Sequence, residues 1–135
     1  MSHTIWLARL LTIGSVLETA AGLGLLVDPA GGASALLGSP MEGSALAIGR
    51  IGGAGLLSLG IACGFARRTP TAPASVGVAW GYLAYNVATC ATLGWAMVAL
   101  ESASAPTLGA AILHGVLGAA VLAALLGRGQ VAVEP

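Results

Sequence analysis

The sequence predicts an all-α fold, an integral membrane four-helix bundle running up-down-up-down, and three observations carry that reading. Of 135 residues, 57% are hydrophobic and only 7% charged, against roughly 25% charged in a soluble domain. Four apolar windows are each long enough to cross a hydrocarbon core about 30 Å thick, which takes roughly 20 helical residues. The breaks between them carry turn residues in place of charge runs. Five Arg, no Lys and five acidic residues cannot coat a water-soluble surface.

The spans, within one transmembrane domain 1–135, run about 5–27, 44–66, 76–100 and 107–127. Asp28-Pro29 ends the first, Arg67-Arg68-Thr69-Pro70 the second, and the stretch from Glu101 to Pro106 the third. The first break is the longest. There Asp28 as N-cap and Pro29 at the first helical position predict a short helix lying in the membrane interface.

Two other architectures fit less well. A cleaved signal peptide would use Ala33-Ser34-Ala35, but the preceding apolar stretch is too long for an h-region and contains Glu18. A soluble bundle would show a charged stripe on each helix, yet Thr69 to Leu100 carries no formal charge.

Arg placement predicts the orientation. Arg67 and Arg68 mark the second connection as cytoplasmic, Arg128 follows the fourth span and Arg9 reaches the same surface from the first. Both termini are then inside a bacterial inner membrane, with Asp28, Glu42 and Glu101 opposite. Trp6, Trp80 and Trp95 read as interfacial anchors.

An ionised side chain deep in a span costs about 2.5–3.5 kcal/mol even on a lenient scale, so Glu18, Arg50, Asn86 and His114 require a reason. At about 1.5 Å of rise per residue all four fall within roughly 8 Å of the bilayer centre. Each shares its helical face with other small or polar residues: Glu18 with Gly14 and Gly22, Arg50 with Gly43, Ala47, Gly53 and Ala54, His114 with Ala110 and Gly118, Asn86 with Tyr82, Thr89 and Cys90. Small residues mark where membrane helices touch, so the polar groups are expected to point inward. Gly49-x-x-x-Gly53, Gly60-x-x-x-Gly64 and Gly77-x-x-x-Gly81 mark candidate crossings.

Two readings of this cluster stay open. In one, Glu18 and Arg50 form a salt bridge, with Asn86, His114 and a Tyr hydroxyl completing their hydrogen bonds, and the cluster fixes how the helices pair. In the other, Glu18, Arg50, Asn86, Tyr82 and His114 border a cavity that binds a small amphipathic ligand or carries a proton. One His within the membrane cannot supply two axial haem ligands, and Cys63 and Cys90 lie at different depths, so no cofactor, metal or disulfide is expected. Charges scattered singly exclude nucleic acid. No nucleophile elbow, phosphate loop or zinc-protease motif occurs. The expected partners are the lipid bilayer, the small ligand, and further copies of the chain or a larger membrane complex.

A Glu in the first of four short spans, in Leu17-Glu18-Thr19, resembles the small multidrug resistance transporters, which implies proton-coupled exchange by a homodimer with Glu18 as proton carrier. Arg50 departs from that pattern, because a guanidinium beside Glu18 would hold it ionised. The aromatic and Pro-Thr-Gly motifs of those transporters are missing. In layout the chain is more similar to small uncharacterised bacterial four-span membrane proteins of the DoxX-like kind. Glu18 with Gly22, Asp28-Pro29, Leu36-Leu37-Gly38, Gly49-Arg50, Gly52-Gly53, Leu59-Gly60, Tyr85-Asn86 and His114 carry that likeness, which implies the fold and no settled activity. The expected role is therefore non-enzymatic binding or an accessory subunit, with a transporter, or an enzyme acting on a quinone or lipid through His114, as the alternatives.

Overall fold

The computed structural model describes residues 3–100 and 104–127. Among these residues the chain is all-α, with five helices and no strand: α1 (His3–Val27), α2 (Pro29–Leu37), α3 (Ala45–Ala66), α4 (Pro73–Ala99) and α5 (Ala105–Leu126). Glu101 and Arg128, used above for orientation, lie outside the described residues.

Three helices, α1, α3 and α5, are long and apolar enough to cross a membrane. The fourth expected span, α4, is the longest at 27 residues, but Tyr82, Tyr85, Asn86 and its threonines dilute its apolar character. The surface supports membrane association as well. Val16, Val27, Ile48, Ile51, Phe65, Trp95 and Val98 are all more than half exposed, whereas Glu18, Ser75, Asn86 and Thr107 are buried. A water-soluble domain has the opposite distribution. Trp6 and Trp80 are also exposed, as anchoring residues must be.

Local chemistry sets the helix ends. Asp28 caps α2, its carboxylate accepting from the Gly31 N–H at 2.9 Å, and Pro29 occupies the first turn, where a missing N–H costs nothing. Gly38 ends α2 at φ 80°, donating its N–H to Ser34 O at 3.0 Å; a side chain would resist that left-handed conformation. At α5, Ser104 Oγ accepts from the Thr107 N–H at 3.2 Å. The Thr107 hydroxyl donates to Leu36 O at 2.6 Å, which ties the start of α5 to the end of α2.

Packing begins with glycine. A Cβ on Gly22 of α1 would stand 2.7 Å from Gly53 O of α3, and one on Gly53 would stand 2.8 Å from Gly22 O. Further along, a Cβ on Gly60 would meet Thr19 N at 2.7 Å and one on Gly64 the Ser15 hydroxyl at 2.8 Å. Pairing 22 with 53, 19 with 60 and 15 with 64 makes α3 antiparallel to α1, with backbones in direct contact. The expected crossing at Gly77 and Gly81 is not formed, since a Cβ at either meets open space.

On the other side, Gly118 of α5 lies against Asn86 and Leu83, and Gly115 against Cys90, so α5 runs antiparallel to α4. The ring of Tyr82 lies on Gly14, which sets α4 beside α1. The dense core, with Leu7, Leu11, Cys63, Ala79, Tyr82 and Val121, occupies the end of the helices that carries Arg67 and Arg68. The other end is covered by α2.

Candidate functional site

The site runs from the core toward α2 and begins with α4, whose Tyr82, Tyr85, Asn86 and Thr89 fall at spacings of three and four and share one face. Asn86 is fully buried. Its Nδ2 donates to the Tyr82 backbone O at 2.8 Å, and its Oδ1 lies 2.9 Å from His114 Nδ1 on α5. A backbone carbonyl only accepts, so the amide orientation is fixed: nitrogen toward Tyr82, oxygen toward the imidazole. His114 Nδ1 therefore carries the hydrogen.

Beside Asn86 on α4, Tyr85 packs against Glu18 of α1 and Thr89 of its own helix. Glu18 is 2% exposed. The Tyr85 ring meets the His114 ring edge-on at 5.4 Å between centroids. The two halves of the network, Glu18–Tyr85–Thr89 and Tyr82–Asn86–His114, are thus packed together through an aromatic contact.

Over this network opens a cleft of about 380 Å³, within the roughly 300–1,000 Å³ of small-molecule sites. Its wall draws on all five helices: Ala21, Gly24 and Leu25 from α1, Gly32 and Leu36 from α2, Leu56 from α3, Leu93 from α4 and Ala110 from α5, with Tyr85, Thr89 and His114 as its polar part. Small residues on α1 and α5 leave the volume that larger ones would fill.

Four of the five residues picked from sequence, Glu18, Tyr82, Asn86 and His114, come together; Arg50 does not. It is exposed on α3, and Tyr85, not Arg50, is the side chain that meets Glu18. The expected salt bridge is not formed. The α3 face toward α1 and α2 is made by Gly49, Gly53 and Gly60, and Arg50 stands about 100° round from Gly49. Ala47 and Ala54, offered as its inward neighbours, are exposed with it.

Tyr82 differs from expectation in a second way. Its hydroxyl is buried and has no hydrogen-bond partner, and the backbone carbonyl takes the polar role instead, accepting from Asn86 Nδ2. Tyr85 and Thr89 line the cleft together with His114. Thr89 belongs to the polar face that Tyr82 and Asn86 mark in the sequence, and Tyr85, four residues before it, extends that face.

Among the described residues no three His, Cys, Asp or Glu side chains gather as metal ligands would. Comparison with family models, curated proteins and solved structures found no match to the chain.

Proposed function

We propose that the chain is a four-span protein of the bacterial inner membrane that binds a small amphipathic molecule in this cleft without transforming it. In this reading α4 is the fourth span, its polar groups turned inward against α1 and α5, α2 lies in the outer interface, and both termini are cytoplasmic. The observation that carries it is the cleft itself: apolar walls from all five helices, and three polar side chains converging on one part of it. That division suits a molecule with an apolar body and one polar head.

Native mass spectrometry of the full chain released from membranes in mild detergent tests this. The expected result is one retained amphiphile per chain, lost when Ala110→Trp fills the cleft. An empty wild-type chain, or equal retention by the filled variant, would count against binding. The same spectra give the stoichiometry and any co-purified subunit.

One observation favours a second reading, proton-coupled transport by a homodimer. Glu18 is buried against Tyr85 with no cation bonded to it, so the departure that set Arg50 against this reading is gone. Glu18→Gln in sealed vesicles is then expected to abolish uptake driven by a pH gradient, and unchanged uptake would dismiss it.

A further inference from the structure

The hydrogen-bond directions around the cleft specify the chemistry of the head that fits it. Tyr82 O is an acceptor, so Asn86 Nδ2 faces it; Asn86 Oδ1 is then an acceptor, so His114 Nδ1–H faces that. A neutral imidazole protonated at Nδ1 keeps a lone pair on Nε2. His114 lines the cleft. Among buried side-chain atoms of the described residues only the Tyr82 hydroxyl is without a partner, so Nε2, for which no hydrogen bond is formed, is not sealed in the core and its lone pair is left for a ligand in the cleft.

The second group behaves alike. Thr89, one turn from Tyr85 on α4, also lines the cleft, and its hydroxyl oxygen carries lone pairs that can accept. No carboxylate or guanidinium is among the lining residues. An ammonium head would have no counter-charge there, and a carboxylate or phosphate head no cation. At His114 Nε2, ether, ester and ketone heads would set acceptor against acceptor.

We infer that the cleft selects an amphiphile whose head is a neutral hydroxyl, donating its hydrogen to His114 Nε2 with Thr89 Oγ1 as the neighbouring acceptor. This rests on the binding reading above and narrows it to one class, long-chain alcohols and alkyl phenols.

A matched pair of probes tests it: 4-nonylphenol and 4-nonylanisole, which differ in whether the oxygen carries a hydrogen. Binding to the full chain in lipid nanodiscs is measured at pH 8, above the ordinary imidazole value of about 6.5. The phenol is expected to bind about fivefold more tightly, the worth of one net hydrogen bond of about 1 kcal/mol. That preference falls to near unity in His114→Phe and by about half in Thr89→Val. In the wild type, the ¹⁵N resonance of His114 Nε2 shifts with the phenol and not with the anisole, which decides the point without any variant.

Equal affinity for the two probes, or a preference that survives His114→Phe, overturns the hydroxyl assignment and leaves binding in the cleft standing. Failure of both probes to displace a retained amphiphile overturns the assignment as well. If neither probe binds and no amphiphile is retained, the binding reading fails and takes this one with it.

Discussion

Asn86 is the residue on which the polar centre turns, because each end of its amide has one partner and the two cannot be exchanged. Asn86→Leu leaves the His114 Nδ1–H without its acceptor in a buried setting, and an unpaired buried polar group costs about 1–3 kcal/mol. We expect a loss of about 1–2 kcal/mol in denaturant titrations in mixed micelles. The Asn86–His114 coupling alone, from a double-mutant cycle, should be smaller, about 0.6 kcal/mol, since helices unfolded within a membrane still find partners. Tyr82 carries the opposite sign. Its hydroxyl is buried without a partner, so Tyr82→Phe removes a desolvated group and keeps the ring that packs on Gly14. Stability equal to wild type or higher by up to about 1 kcal/mol is expected in the same titration, and a marked loss would mean that the hydroxyl is bonded.

At the scale of helices, glycine does two different things in this chain. Gly53 faces backbone on α1, with Gly22 O 2.8 Å and Leu26 N 2.9 Å from where its Cβ would stand. Neither atom can give way without moving a helix. Gly81 faces open space on α4. Gly53→Ala should therefore destabilise by about 1–3 kcal/mol through overpacking, while Gly81→Ala should be neutral or stabilise by up to about 1 kcal/mol through helix propensity. Equal effects at the two sites would remove the close α1–α3 crossing. The same contrast explains what the sequence could reveal. Asp28-Pro29 announced α2 because capping is local chemistry, and Glu18, Asn86 and His114 announced an inward cluster because polar groups within a span must hide from lipid. Arg50 was misplaced because α3 has small residues on every side, so spacing could not separate the face touching α1 from the face turned outward. A long cation near a helix end has another way out, toward the headgroups.

Across the whole molecule the two ends differ: the buried core cluster lies toward Arg67 and Arg68, and the cleft lies beneath α2. No sequence pattern foretold the cleft, because free volume depends on how far α1 and α3 stand from α4 and α5 at one level, a property of four helices jointly. The asymmetry gives the proposed orientation a consequence. If the paired arginines are cytoplasmic, the cleft beneath α2 opens to the outer leaflet. Two single-cysteine labels separate the alternatives: Ser39→Cys beyond the end of α2 and Thr71→Cys between α3 and α4, both at exposed positions. Background is low, since Cys63 is fully buried and Cys90 half-buried. A membrane-impermeant maleimide applied to intact bacterial cells should modify the cysteine at 39 and reach the one at 71 only after lysis. The reverse pattern would turn the cleft toward the cytoplasm. Modification of both in intact cells would place the two connections on one side and count against α3 as a span.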